Sequence, residues 1–219
     1  MSGVMQEIPL NDYWARYGKM EFEDTDFARA LERLPAISAV GPWVAGGSVR
    51  RLVMSMAQDS DFDFFFKDEA QFTAFCDDMK KRGASIENEN AFNITFILPK
   101  VKAKPIGDDE FSPSGPELKI QAIRIAYHET LAAVLDSFDF SLCQCGYDGD
   151  ILMFGQFSLF DMARKKLVPE TIRYGASTLR RIIKYTLQGY TICGGGLANI
   201  LQQVADNPEI INSEVEYVD

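Results

Sequence analysis

The stretch Trp43-Val-Ala-Gly-Gly-Ser-Val-Arg-Arg-Leu52, followed by Asp59-Ser-Asp-Phe-Asp-Phe-Phe-Phe66, constrains this chain more than any other part of it. Three apolar residues run into a double glycine, the pattern of a short buried strand that turns sharply into a helix. Ser48 fits the helix N-cap, because a Ser hydroxyl accepts from first-turn N–H groups, and Val49 to Met56 reads as its continuation. Phe62 to Phe66 reads as a strand whose side chains alternate across a sheet. Phe62, Phe64 and Phe66 then take one face, and Asp61 and Asp63 the other. The phenylalanines need a core to bury them, which leaves two carboxylates close together on the opposite side.

Two such carboxylates repel one another unless a cation sits between them. Mg²⁺ answers this, since it takes hard oxygen ligands from one or two carboxylates together with substrate phosphates. Asp61 and Asp63 are therefore the candidate catalytic and metal-binding residues, for Mg²⁺ or Mn²⁺. Gly46 and Gly47 permit close backbone approach to a triphosphate, and Ser48 at the helix start offers N–H and hydroxyl donors. Arg50 supplies a planar, permanently charged fork for phosphate, against the alternative of a surface helix charge. Each motif alone also fits a plain tight turn or a solvated strand face. Their order and spacing favour a site that binds an NTP and moves a nucleotide.

A chain of 219 residues, 47% hydrophobic and with 16 Phe, suffices for one good-sized core, or for a core with a small appended helical unit. No apolar stretch is long enough for a bilayer, and the N-terminus lacks signal-peptide regions, so the expectation is a cytoplasmic protein without a membrane partner. Cys76, Cys143, Cys145 and Cys193 show neither zinc spacing nor disulfide-scaffold density, and Cys143-Gln-Cys145 reads as buried strand thiols. The single histidine, His128, rules out a histidine-rich metal site and is given no role. A net charge of −10 disfavours a broad grip on duplex nucleic acid. Positive charge gathers locally at Arg164-Lys-Lys166, Arg173, Arg180, Arg181 and Lys184.

Along the chain, helices are expected at 24–34, 69–81 (ending near Gly83), 129–136, 159–166, 178–188 and 197–205. Strands are expected at 118–125, 140–147 and 151–154, with one or two more in 85–98 around an Asn88-Glu-Asn90 turn. Asp148-Gly-Asp150 reads as a further turn. Residues 99–116 read as a long mobile loop in which Lys100, Lys102 and Lys104 are solvated. Gly194-Gly-Gly196 lacks the Lys-Ser/Thr of a P-loop and reads as a hinge between helices. The acidic last residues are expected to fray. The fold expected is α+β: a small mixed β-sheet head with flanking helices and a short C-terminal helical neck. The break falls near Val168-Pro169, giving a head over 1–168 and a helical neck and tail over 169–219.

These residues resemble the DNA polymerase beta-like nucleotidyltransferase superfamily, most of all the head and neck of bacterial CCA-adding enzymes and poly(A) polymerases. Gly46-Gly-Ser-Val-Arg50 looks like that family's Gly-Gly-x-Val-Arg-Asp motif, and Asp61-Phe-Asp63 like its metal-binding Asp-x-Asp. Asp139-Phe-Ser-Leu-Cys-Gln-Cys-Gly-Tyr-Asp148 is similar to its Asp-Phe-Thr stretch, and Phe160 to Leu167 to the Asp-Leu segment after it. Thr178-Leu-Arg-Arg-Ile-Ile-Lys-Tyr185 resembles the neck helix. The resemblance implies a palm-like head. Asp139 is a candidate for the nucleotide's ribose, against a role capping or bracing the neck, and Arg180 a candidate phosphate fork, against a solvated helix face. Arg51 stands where the family has Asp, and Ser137-Phe138 where it has Arg-Arg. The base-reading motif falls on Ala176-Ser-Thr-Leu-Arg180, which keeps only the arginine. The third carboxylate's best-placed counterpart on the next strand is Gln121, a neutral amide and a poor general base. Glu117, Asp139 or substrate would have to fill that gap.

The activity implied is metal-dependent transfer of NMP from an NTP to a hydroxyl acceptor, with pyrophosphate released and an RNA 3′ end as first choice of acceptor. The alternatives are a transferase acting on a protein or a small molecule, and a degenerate nucleotide- or RNA-binding module. A protein partner that supplies acceptor binding, and a pure interaction role through the acidic surface, also stay open.

Overall fold

The computed structural model describes residues 5–17, 27–102 and 114–212. The first described elements are strand β1 (Gln6–Pro9), helix α1 (Leu10–Tyr17) and helix α2 (Phe27–Leu31). Strand β2 (Trp43–Ala45) is wholly buried and leads into helix α3 (Gly47–Val53). Strand β3 (Phe62–Phe65) follows, then helix α4 (Glu69–Lys81). At the start of α4, Asp68 accepts from the Gln71 N–H at 2.8 Å, the capping contact expected of a residue there. At its end Gly83 takes φ 82°, where an L side chain would be strained. Strands β4 (Ser85–Glu89) and β5 (Asn93–Leu98) form a hairpin, and β6 (Leu118–Ile123) pairs with β5. Then come helix α5 (Leu131–Leu135), strands β7 (Cys145–Tyr147) and β8 (Ile151–Phe154), and helices α6 (Ser158–Ala163), α7 (Gly175–Leu187), α8 (Gly194–Asp206) and α9 (Glu209–Asn212).

Among the described residues the sheet has eight strands in the order β1-β8-β7-β2-β3-β6-β5-β4. It is mixed: β3 and β6 run parallel, while β2 is antiparallel to both β3 and β7. Phe62, Phe64 and Phe66 are buried as the alternation requires. Phe64 lies 4.5 Å, centroid to centroid, from Phe75 of α4, and Phe66 meets Phe72 edge-on at 5.3 Å. Burying each such ring contributes roughly 1.5–3 kcal/mol. These rings fix which face of β3 turns inward, and therefore where Asp61 and Asp63 point.

By its contacts the chain forms two compact units. One is Glu7–Val134 with Gly146–Met153, and it carries most of the sheet. The other takes residues 5 and 6, Leu135–Cys145 and the described residues from Phe154 onward. In the second unit Ile172, Ile200 and Ile210 make a small core, flanked by Ile182, Ile192 and Val204. No helix among the described residues is long and apolar enough to cross a membrane.

Several expectations need correction. Ser48 is not the N-cap: α3 begins at Gly47 with Gly46 at the cap, and the Ser48 side chain is wholly buried. The segment 140–147 is not one strand. Ser141–Cys143 form a 3-10 turn before β7 because the Ser141 hydroxyl donates to Asp161 at 2.6 Å, a tertiary contact that overrides the alternating pattern. Cys143 and Cys145 are buried free thiols, but only Cys145 lies in a strand. Gly194-Gly-Gly196 is no hinge. It forms the first turn of α8, where Cys193 Sγ accepts from the Gly196 N–H at 3.4 Å, and a Cβ on Gly196 would lie 3.0 Å from Ile192.

The helix expected over 24–34 is seen as α2, residues 24–26 lying outside the described residues. Of the expected loop 99–116, the stem is described. Val101 and Gly115 exchange backbone hydrogen bonds at 3.0 Å, and Arg33 donates to the carbonyls of Pro99 (2.6 Å) and Pro116. Residues 103–113, Lys104 among them, and the acidic end from 213 lie outside the described residues.

Candidate active site

The glycine turn is shaped by two separate needs. Gly46 sits at φ 87° and ψ −127°, a backbone state that glycine alone adopts at little cost. Gly47 lies in close approach, since a Cβ there would lie 2.3 Å from Ser60 Oγ and push that side chain aside. Ser60 immediately precedes Asp61, so the turn and the carboxylate strand are packed directly together. The chain between them is tied to α3. Gln58 donates to the Ser48 carbonyl at 3.0 Å, and Arg51 donates to the Ala57 carbonyl at 3.0 Å and forms an ion pair with Asp59. Arg51, in the position of the family's Asp, thus fastens the approach to Asp61. Arg50 is only 4% exposed, which excludes the surface-charge reading for it. Ser48 Oγ is buried without a hydrogen-bond partner among the described residues.

Asp61 lies one residue before β3 and Asp63 within it, both half-buried. Ala45, the last residue before Gly46-Gly47, is the register partner of Asp63 on one side, and Gln121 of β6 is its partner on the other. Register partners share a sheet face. Gln121 reaches back along this face and donates from Nε2 to Asp61 at 2.7 Å. Thr95 of β5, buried, stands opposite Gln121. Lys119, two residues before Gln121, donates to Glu87 at 2.9 Å. That bond, assisted by the nearby charge of Asp61, holds the Lys119 ammonium above its ordinary pKa. The donor set of Asp61 and Asp63 fits one hard divalent cation. Among the described residues no group of three or more His, Cys, Asp or Glu side chains gathers to hold a metal.

Asp139 and Arg180 belong to the other unit. Asp139 is buried and accepts from Thr178 Oγ1 at 2.9 Å and from Arg181 at 2.7 Å, both on α7, while its backbone carbonyl accepts from the Glu170 N–H at 2.9 Å. These contacts brace the helix. Arg180 is exposed on α7. Cys143 and the Tyr185 hydroxyl are 3.1 Å apart in the same interior. Glu170 has its carboxyl pKa raised, first by burial and then by Asp161 and Asp136.

The family model of Gad2, described as Gabija anti-defense 2 family protein, matches residues 19–165. The chain belongs to this family. The matched residues of this Gad2-family chain run from before the glycine turn past Asp139 and stop short of α7. No curated protein sequence matches it. Among solved structures it is similar to the Thermotoga maritima CCA-adding enzyme complexed with tRNA, at TM-score 0.56 and 14% identity, covering 91% of this chain and 46% of that one. A CCA-adding enzyme in apo form II gives TM-score 0.55 and 14% identity, covering 91% and 48%. A CCA-adding enzyme in complex with CTP gives 0.54 and 15%, covering 91% and 45%. This Gad2-family chain spans less than half the length of these three structures. At such identity the likeness shows the fold, which is of the polymerase beta-like nucleotidyltransferase type: mixed sheet, flanking helices, α+β.

Reading the Gad2-family sequence alone leaves four residues unassigned that the structure places at these sites. Ser60 is signalled only by its position before Asp61. Lys119 shares a strand face with Gln121 by simple alternation. Arg51 was visible as a departure, but its contacts to Ala57 and Asp59 were not. Thr178, the buried partner of Asp139, sits in a helical pattern where a Thr carries no mark of its role.

Proposed function

We propose that this Gad2-family chain binds a nucleoside triphosphate at the β2–α3 turn. With Mg²⁺ or Mn²⁺ at Asp61 and Asp63, it transfers the nucleotidyl group to a hydroxyl acceptor, an RNA 3′ end first among the candidates. The observation that carries this reading is the pairing of Ala45 with Asp63, which puts the glycine turn beside the half-buried carboxylates. The backbone N–H groups of Gly47 and Ser48 would receive phosphate oxygens, as helix starts do. Arg50, buried in the same turn, would offset part of their charge. The acceptor oxygen attacks the α-phosphorus, the bond to the β-phosphate's bridging oxygen breaks, and pyrophosphate departs with that electron pair. The acceptor's proton passes to solvent or a carboxylate. When bound, the ion would neutralise phosphate charge and stabilise the leaving pyrophosphate.

One observation favours a second reading, nucleotide binding without turnover. The Gln121 amide, which donates to Asp61, occupies the place of a third carboxylate. The anti-defense description of the family is compatible with both, since either modifying a macromolecule or holding a nucleotide can oppose a defence system.

The test is incubation with each α-labelled NTP, Mg²⁺ or Mn²⁺, and separate pools of RNA and protein, beside the chain carrying Asp61→Asn and Asp63→Asn. Label entering RNA only with the aspartates intact supports the leading reading, and label entering protein changes the acceptor. Binding without transfer supports the second reading. Absence of NTP binding removes both.

A further inference from the structure

We infer that Gln121 makes this a one-ion site, whereas a carboxylate in its place would make it a two-ion site. The inference rests on the nucleotide-binding reading above and deepens it. Gln121 is the register partner of Asp63 and hydrogen-bonds Asp61, so it stands beside both candidate ligands from the neighbouring strand. An amide presents either an N–H₂ donor or a neutral oxygen. Here the N–H₂ group faces Asp61 at 2.7 Å, engaging a carboxylate oxygen that a second ion would need to share. Thr95, beyond Gln121 on β5, is uncharged and buried. Lys119, on the same face of β6, adds positive charge beside Asp61, and Glu87, the nearby acid, is committed to it at 2.9 Å.

The repulsion between two divalent ions a few ångström apart scales with the product of their charges. Sites that hold such a pair need carboxylates enough to bridge and offset it. Among the described residues, this face sets the two carboxylates beside the Gln121 amide and the Lys119 ammonium. A single ion shared between Asp61, Asp63 and the triphosphate is the arrangement it can balance. The gain in negative charge from a one-atom exchange, amide nitrogen to carboxylate oxygen, would remove that limit with little change in shape.

The experiment titrates Mn²⁺ into the whole chain in the presence of α,β-methylene NTP, taking whichever of the four analogues binds, and counts bound Mn²⁺ by the loss of its free electron-paramagnetic-resonance signal. The expected result is one Mn²⁺ per chain–nucleotide complex in the wild type, one in Gln121→Asn, and two in Gln121→Glu. Two Mn²⁺ in the wild type overturn the inference, whether or not Gln121→Glu folds. One Mn²⁺ in a folded Gln121→Glu variant overturns the assignment to Gln121. A wild type that binds no analogue overturns the nucleotide reading itself, and this inference with it, an outcome separable from a wrong count.

Discussion

The carboxylates of the two units are held in opposite ways. Asp139 is buried and receives two hydrogen bonds from α7, one of them from an arginine. Asp61 and Asp63 are half-buried at the start of a strand, with an amide as the donor to Asp61. A carboxylate satisfied by an ion pair and a hydroxyl is committed to the fold, because removing it strands a charge and a donor. Two carboxylates on one sheet face, with an amide and an ammonium from the next strand, keep the capacity to take a cation. The comparison teaches that the same residue type, matched to the same family's motifs in one sequence, divides into a structural brace and a candidate ligand according to its donors.

The comparison would break first at the aspartate pair. Asp61→Asn with Asp63→Asn is expected to reduce nucleotide-dependent Mn²⁺ binding by more than about 100-fold, since even outer-shell partners of a metal alter affinity by 10–100-fold. The urea midpoint should stay near the wild-type value, and a collapsed midpoint would assign these residues to the fold instead. Asp139→Ala should do the reverse, lowering stability by about 2–3 kcal/mol through the lost ion pair and hydroxyl contact. That is read from urea unfolding, with NTP binding unchanged; wild-type stability in this variant would deny the brace.

Next comes Gly47→Ala, whose new Cβ would lie 2.3 Å from Ser60 Oγ. A cost of about 1–3 kcal/mol is expected for such overpacking, largely recovered in the Gly47→Ala/Ser60→Ala double variant. A double variant no better than the single one would mean that the clash lies elsewhere. Ser48→Ala should leave stability within about 1 kcal/mol of wild type or raise it, because it removes a buried hydroxyl without a partner. NTP affinity should also hold, and a large loss of affinity would return the hydroxyl to the phosphate site.

The smallest effect is expected at Glu170, whose carboxyl pKa is raised in the folded state. A folded state that binds the proton more tightly than the unfolded chain gains stability as pH falls through the raised value, and keeps that gain below the unfolded value near about 4.3. Glu170→Gln should therefore be the more stable form at neutral pH, with the difference shrinking toward pH 4. Parallel pH–stability curves for the two proteins would contradict the raised pKa.

How much of this was legible depended on how local each determinant is. Helix α4 follows from its apolar spacing and Gly83, both within one short segment, and the structure returns the expected bounds, Glu69–Lys81. The inward face of β3 follows from alternation. The segment 140–147 misled because its apolar run fits a strand while a contact with Asp161, far along the chain, draws Ser141–Cys143 into a turn. Ser48 misled because a serine after glycines fits a cap, and only the backbone of Gly46 decides that the helix starts one residue earlier.

The sequence by itself determined that a glycine turn precedes a strand with carboxylates on one face and phenylalanines on the other, because period-two alternation and glycine's backbone freedom are properties of consecutive residues. Only the tertiary structure decided what stands opposite those carboxylates. It brought Gln121 and Lys119 beside Asp61 through the parallel pairing of β3 with β6, packed Ser60 against Gly47, and gave Asp139 to α7. Such partners are set by strand order and helix docking, which long-range burial selects and no local pattern of residues encodes.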